Sequence, residues 1–316
     1  MIPRRGYMVL SLLLVLLLVG GVLMAFVPSA EKHQGADFRQ HSNPGLTQSH
    51  KQHRMVEESK FTIIMQTYNR TDVLLKLLNH YQAMPHLQRI IIVWNNIGEP
   101  TPQKLWDSLG PHPVPIVFKQ QSTNLMRNRL QSFKEIDTDA VLMLDDDTLV
   151  SVPDVSFAFS VWNEFTVMEV LSYRTQKSQE ETGKYSMVLI GAAFFHRRYL
   201  QLFQEQDKAV LALIDETQNC DDIVMNFVVS LYLKKIRETS YNRPSGVFVK
   251  PVDMRNLEKD ASSGYQGMWH RPEHLLQRSY CLNRLAHIYG VMPLCFSNLM
   301  VSQFGFPSYA NHKSRG

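Results

Sequence analysis

The chain has 316 residues, 44% of them hydrophobic and 20% charged, which is enough to bury one large α/β core or two smaller ones and too apolar for a disordered protein. Its net charge of +4 is modest, with acids and bases interspersed. That balance argues against a nucleic-acid-binding surface and leaves small anionic ligands open.

From Tyr7 to Val27 no residue is charged, matching the roughly 20 residues a helix needs to cross a bilayer. Arg4 and Arg5 precede this run, and positive charge there keeps the short tail, residues 1–6, cytosolic and sends the remainder into the lumen. The segment 7–27 is therefore read as the signal anchor of a single-pass type II protein of the endoplasmic reticulum or Golgi membrane. A cleaved signal peptide is the rival, because Pro28-Ser29-Ala30 offers small residues, but the apolar run exceeds the roughly 7–15 residues of an ordinary h-region. Residues 28–60 carry His33, His41, His50 and His53 at irregular spacings among Gln and Ser. They have no periodicity and read as a stem, whose cleavage would release a secreted form.

The folded part, 61–316, opens at Phe61. Phe61 to Gln66 reads as a strand, Thr71 to Gln82 as a helix with Leu74, Leu75, Leu77 and Leu78 on its apolar side, and Arg89 to Trp94 as the next strand. The alternation continues with a helix near Pro102 to Leu109, a strand near Val114 to Phe118, a helix from Thr123 to Phe133, and the apolar run Ala140 to Asp145. Such repetition predicts an α/β fold with a mostly parallel central sheet covered by helices, its ligands bound beyond the carboxyl ends of the strands. At those ends lie Gln66, Thr67, Tyr68, Asn69 and Arg70, then Asn95 and Asn96, then Asp145, Asp146 and Asp147. Asn69-Arg70-Thr71 is a glycosylation sequon in form, and its place in this cleft predicts that it carries no glycan.

Side chains two apart on an extended backbone point the same way, so Asp145 and Asp147 are expected to face one site and Asp146 another group. Three carboxylates this close repel unless a cation relieves them, and their hard oxygens suit Mn²⁺ or Mg²⁺ bridging to phosphates. A solvated acidic turn is the alternative. Arg127 and Arg129 follow Asn124 just before the acidic strand, and each reads either as a solvated helix face or as a ligand contact. Carboxylates, a divalent cation and arginines together suit a nucleoside diphosphate, whose charge must be held as it departs. No GxxxxGK[ST] loop is present, which argues against a P-loop hydrolase and against a nucleotidyltransferase.

Three cysteines, Cys220, Cys281 and Cys295, sit in a compartment that permits disulfides. Asn219 is placed to cap a helix beginning here, so that Asp221 and Asp222 gain from its positive end. Trp269 follows the loop Gly264-Tyr-Gln-Gly267, where an aromatic face suits sugar stacking or core packing. His270 is given no catalytic role.

Ile64-Met-Gln-Thr-Tyr-Asn-Arg70, Val93-Trp-Asn-Asn96, Leu144-Asp-Asp-Asp-Thr148, Asn219-Cys-Asp-Asp222, Gly267-Met-Trp-His270 and Gln277-Arg-Ser-Tyr-Cys281 closely resemble the exostosin-like family of glycosyltransferases, in order and over most of the lumenal chain. The resemblance implies a GT-A nucleotide-sugar-binding fold with Mn²⁺ (or Mg²⁺) as cofactor and a UDP-N-acetylhexosamine, UDP-GlcNAc or UDP-GalNAc, as donor. It implies retaining α1,4 transfer to the glucuronic acid of the linkage-region oligosaccharide on proteoglycan core proteins, in heparan sulfate and chondroitin sulfate biosynthesis. A homo-oligomer is left open.

Carried over residue by residue, the resemblance puts Gln66, Arg70, Asn95, Asn124 and Arg129 at donor-binding positions, with Asp145 and Asp146 at contacts to the uridine and sugar. It makes Asp147 the metal ligand, Asp222 the catalytic carboxylate and Arg278 its partner. Asp221 and Trp269 fall on the acceptor side, so 61–148 is the donor half and 149–316 the acceptor half. It also suggests a Cys220–Cys281 disulfide, which would draw Asp222 toward Arg278, one helical turn from Cys281 on the same face. Cys295 is then left over and is read as a buried free thiol, with an intermolecular bridge as the alternative.

Two segments depart from the family. After Ser160-Val-Trp-Asn-Glu-Phe165 the family has a Gly-Phe-Val-Pro-Arg type strand and a glycine-rich, tyrosine-containing loop. Here residues 166–184 read TVMEVLSYRTQKSQEETGK, and the expectation is loss of a structural strand and part of the acceptor wall. Residues 230–243 add length before Ser245-Gly-Val-Phe-Val-Lys-Pro251. These changes leave open a UDP-sugar-binding member with impaired transfer.

Overall fold

Among the described residues, ten strands and seven α-helices alternate along the chain. In order they are β1 (Phe61–Thr67), α1 (Thr71–Tyr81), β2 (Leu87–Trp94), α2 (Gln103–Asp107), β3 (Ile116–Gln120), β4 (Ala140–Asp145), β5 (Thr148–Val150), α3 (Val152–Glu164), β6 (Val170–Ser172) and β7 (Ala192–His196). Then follow α4 (Arg198–Gln204), α5 (Lys208–Thr217), α6 (Asp221–Arg237), β8 (Val247–Lys250), β9 (Met254–Asn256), α7 (His274–Tyr289) and β10 (Met300–Ser302). The computed structural model describes residues 59–107, 110–164, 170–175, 183–237, 244–262, 264 and 267–303. The expected anchor at 7–27 and nearly all of the stem lie outside the described residues, among which no helix is long and apolar enough to cross a membrane.

Eight strands form one sheet in the order β10-β8-β6-β7-β4-β1-β2-β3, and β5 pairs with β9 in a small second sheet. β1 runs parallel to both β2 and β4, β2 to β3, and β8 to both β6 and β10. β7 alone runs the other way, antiparallel to β4 and β6. The mostly parallel sheet is thus as expected, and its central strands are continuous apolar runs because both faces are covered. On one face Ile63, Met65, Ile92 and Leu142 pack with Leu74, Leu77, Leu78 and Tyr81 of α1. On the other, Ile64, Ile91, Val141 and Met143 share a core with Phe203, Ile223 and Phe227.

Three expectations need correction. The helix expected from Thr123 to Phe133 is only a 3₁₀ turn, Met126–Leu130. Side-chain amides take the carbonyls an α-helix would use: Asn128 donates to the Thr123 carbonyl at 2.6 Å and Asn95 to that of Leu125 at 3.2 Å. The strand expected near Val114 starts later, at Ile116, past Pro113 and Pro115, which cannot donate to a ladder. Finally, the strand expected to be lost from 166–184 is retained as β6, between β7 and β8, because Val170 and Leu171 are apolar and buried there. Residues 165–169 and 176–182 lie outside the described residues, as do 238–243 of the second altered segment.

Candidate active site at the carboxyl edge of the sheet

The parallel strands β1, β2 and β4 deliver their polar ends to one edge. At the end of β1, the Thr67 hydroxyl donates to Asp146 at 2.9 Å. Asn69 adopts φ 58°, a left-handed conformation that asparagine tolerates, and its N–H reaches the Asn96 side chain at 2.7 Å. Arg70, 4% exposed, donates from one nitrogen to Asp146 at 2.9 Å and Asp147 at 3.0 Å. At the end of β2, Asn95 donates to Asn124 at 3.0 Å and accepts from Asn128 at 3.1 Å. Gln66 accepts from the Arg129 backbone at 2.8 Å. Gln66, Arg70, Asn95, Asn124, Arg129 and Asp145 to Asp147 are therefore brought together. Arg127 instead forms a two-pronged pair with Asp215 at 2.6 and 2.8 Å, neither a solvated face nor part of this cluster.

The expected alternation of the three aspartates fails, because β4 ends at Asp145 and the backbone then turns. Asp146 and Asp147 share Arg70, while Asp145 takes Arg129 at 2.7 Å and Arg174 at 3.1 Å. A Cβ at Gly191 would overlap the Asp145 carboxylate, so only glycine lets β4 and the start of β7 close over it. Burial raises the Asp146 pKa to about 6 against the pull of Arg70, and burial with the charge of Asp145 raises that of Asp147.

Among the described residues no group of three or more His, Cys, Asp or Glu side chains is gathered as a metal cage. A divalent cation bridging to phosphates needs only one or two protein carboxylates. Asp147 fits that need: it is a hard oxygen donor beside a second carboxylate, held by Arg70 and by the Thr148 hydroxyl at 3.2 Å.

A line of buried charge leads away from Asp145. Arg129 joins it to Asp221, reached at 2.9 and 2.6 Å, and the neighbouring Asp222 makes a bidentate pair with Arg278 at 2.9 Å in both arms. The two adjacent acids titrate in opposite directions. Burial raises Asp221, which Arg129 only partly offsets; burial also acts on Asp222, but Arg278 holds it below the usual carboxylate range. Asp221, expected on the acceptor side, is 4% exposed and spent on Arg129.

Cys220 and Cys281 form a disulfide with Cα atoms 6.3 Å apart. Asn219 does not cap α6. Its amide points to His274 and Gln277 of α7 at 3.2 and 3.3 Å, and the first bond of α6 runs from Val224 N–H to the Cys220 carbonyl. Cys295, half-buried, is free.

Two participants were not visible in the sequence. Arg174, past β6, joins Asp145 to the Thr148 hydroxyl, reached at 2.7 Å, and a lone arginine in an altered segment gives no signal. Glu258 is a buried acid in a polar stretch; it takes Arg70 at 3.4 Å, His270 at 3.0 Å and the Gly267 N–H. It thus ties the donor-side arginine to the turn Met268–His270, where Trp269 is 56% exposed and lies against His270 with ring centroids 3.6 Å apart. Core packing does not explain Trp269.

Residues 61–306 match the family described as Glycosyl transferase family 64 domain. The chain is 54% identical to Exostosin-like 2 of Homo sapiens over 97% of its own length and 93% of that protein, and 52% identical to Exostosin-like 2 of Mus musculus with the same coverage. Exostosin-1a of Danio rerio is 32% identical over 76% of this chain, a span that is 33% of that longer protein. Among solved structures, S. aureus TarS 1–349 in complex with UDP-GlcNAc overlaps in part, with TM-score 0.34, 17% identity, and 45% of this chain and 46% of that chain covered. The family match runs through all strands of the sheet and every member of the carboxylate–arginine network, and the chain accordingly belongs to glycosyl transferase family 64, among the exostosin-like glycosyltransferases.

Proposed function

We propose that the chain is a retaining, metal-dependent glycosyltransferase that moves N-acetylglucosamine or N-acetylgalactosamine from its UDP-sugar, in α1,4 linkage, to the glucuronic acid of the glycosaminoglycan–protein linkage region. On this reading it acts in heparan sulfate and chondroitin sulfate assembly from a GT-A fold. Its likeness to exostosins supports this placement. The observation that carries the chemistry is that Arg129 bridges Asp145 to Asp221, and the next residue in the chain, Asp222, is paired with Arg278. This arrangement links a diphosphate-binding cluster to an ionised carboxylate.

In this mechanism Gln66, Asn95 and Asn124 seat the nucleoside, while Arg70 and Arg129 hold negative charge as UDP leaves. A divalent cation on Asp147, when bound, supplies neutralisation of the diphosphate. The anomeric carbon gains oxocarbenium character, and Asp222, kept ionised by Arg278, counters it. Retention follows either through a glycosyl ester on Asp222 or by attack from the face that UDP vacates; intact-mass analysis of enzyme quenched with donor separates the two routes. Trp269 offers an exposed face to the acceptor sugar. A UDP-sugar-binding member with impaired transfer is the second reading: β6 is present, but residues 165–169, 176–182 and 238–243 of the two altered segments lie outside the described residues.

The test is transfer from radiolabelled UDP-GlcNAc and UDP-GalNAc to a glucuronic-acid-terminated linkage oligosaccharide, with and without Mn²⁺. UDP-sugar binding with neither transfer nor donor hydrolysis would leave only a UDP-sugar-binding protein. Asp147→Ala should weaken Mn²⁺-dependent UDP binding at least about ten-fold by calorimetry, since removing even an outer-shell partner of a metal costs that much. Glu258→Ala should raise the acceptor KM about ten-fold with little change in donor KM, because it releases the Trp269 turn; a matching rise in donor KM would show that Glu258 serves Arg70 alone. Membrane anchoring at 7–27 is tested by carbonate extraction and protease protection of the lumenal part.

A further inference from the structure

Each oxygen of the three aspartates at the end of β4 accepts a hydrogen bond from a fixed donor. Asp145 takes Arg129 on Oδ1 at 2.7 Å and Arg174 on Oδ2 at 3.1 Å. Asp146 takes Arg70 on Oδ1 and the Thr67 hydroxyl on Oδ2, while Asp147 takes the Thr148 hydroxyl on Oδ1 and Arg70 on Oδ2. Three guanidiniums therefore stand in the cluster proposed above to receive a divalent cation.

The three differ in reach. Arg70 and Arg129 are buried, whereas the Arg174 side chain is 23% exposed. Arg174 also comes from the other half of the domain. β6 and β4 both run antiparallel to β7 and so point the same way, which brings the residue two places past β6 to the edge where β4 ends. Its backbone is pinned there, its N–H donating to Ser172 Oγ at 3.1 Å and its carbonyl accepting from the Leu189 N–H at 2.9 Å.

A guanidinium has donors and no acceptor. The Thr148 oxygen thus accepts from Arg174 at 2.7 Å and sends its own proton to Asp147 at 3.2 Å. One hydroxyl separates this positive charge from the residue read as the cation's ligand. A fixed positive charge so placed acts in opposite senses on two visitors: it repels a bare divalent cation and attracts a diphosphate, whose negative charge outweighs that of the cation it carries. Removing the charge should ease entry of the bare ion and loosen the hold on the ion–diphosphate pair. Loss of a residue that only braced the site would weaken both.

We infer that Arg174 makes cation uptake conditional on the diphosphate: it is a positioning residue whose charge disfavours the bare ion at Asp147 and favours the ion arriving with a nucleoside diphosphate. The inference rests on the proposed function, which makes Asp147 the cation's ligand.

The experiment follows Mn²⁺ binding to the full chain by electron paramagnetic resonance of the free ion, and UDP binding in saturating Mn²⁺ by calorimetry. Asp147→Ala supplies the background from other Mn²⁺ sites. Relative to wild type, Arg174→Gln should bind Mn²⁺ alone more tightly and UDP with Mn²⁺ more weakly. The ratio of the two affinities should change at least about ten-fold, well within what Coulomb's law allows for a unit charge near a divalent ion at an effective dielectric of about 20. Arg174→Lys keeps the charge and loses the fork, so it should stay close to wild type in both measurements. In wild type itself, UDP should tighten Mn²⁺ binding at least about ten-fold, as reciprocal coupling requires. Three results each overturn the inference: Mn²⁺ binding that is unchanged or weaker in Arg174→Gln, Arg174→Lys behaving as Arg174→Gln does, or wild type binding Mn²⁺ equally with and without UDP. Wild-type Mn²⁺-dependent UDP binding in Asp147→Ala would instead sink the proposed cation ligand, whatever Arg174 does.

Discussion

Asp222→Asn is expected to lose transfer by at least about a hundred-fold, the scale seen when one preorganised electrostatic group is taken from a transition state. The substitution keeps the shape and removes the charge. In the native protein both Asp222 oxygens face Arg278, and Oδ1 also accepts from the Ile223 N–H at 2.8 Å. Both side chains are buried, at 7% and 6% exposure, so the variant leaves a guanidinium without its counter-charge. Breaking such a pair costs roughly 3–5 kcal/mol, visible as a lower unfolding midpoint. UDP binding should persist, because Arg70 and Asp145 to Asp147 make no hydrogen bond to Asp222. The pH dependence has a definite sign. Asp222 is held below the ordinary aspartate range, so its contribution to stability is complete above that range and is lost as pH falls through its lowered pKa. The variant should lose that part of the acid limb. Unchanged turnover in Asp222→Asn would refute the assignment, and weakened UDP binding alone would place Asp222 in the donor site.

What the sequence disclosed and what it hid follow from the range of the interactions. Apolar runs such as Ile63 to Met65 and Ile90 to Val93 declare buried parallel strands, and the polar residues after them must then share an edge; that logic located Gln66, Arg70, Asn95 and the three aspartates. It failed where the backbone stopped being extended, one residue past β4, so Asp146 and Asp147 share a partner that alternation would have denied them. Asp221 and Asp222 look alike at the head of a helix, yet their pKa values move apart: burial with the charges of Asp222 and Asp145 outweighs Arg129 at Asp221, while Arg278 and the Ile223 N–H outweigh burial at Asp222. Local pattern carries no such information. Glu258 was hidden for the same reason, since its partners Arg70 and His270 are brought to it by the fold.

Cys281→Ser should destabilise the protein and separately impair turnover. The disulfide closes a loop with a sequence separation of 61, for which the chain-entropy account gives about 4 kcal/mol, with measured values often smaller. For a domain of this size that corresponds to a fall of roughly 10 °C in the unfolding midpoint. The bond also sets geometry. Cys220 immediately precedes α6 with φ 71°, an unfavourable conformation for a residue with a Cβ, and Cys281 lies one turn past Arg278 on α7. With the tether cut, Asn219 still reaches α7 through His274 and Gln277, but the start of α6 is free to relax and carry Asp222 away from Arg278. The expected signature is a kcat reduced at temperatures well below the variant's midpoint, reproduced in wild type by reductant and absent from Cys295→Ser, whose thiol takes no part in the bond. A Cys281→Ser enzyme with a lowered midpoint but native kcat would confine the disulfide to stability, and the aspartate–arginine pair would then owe its alignment to helix packing alone.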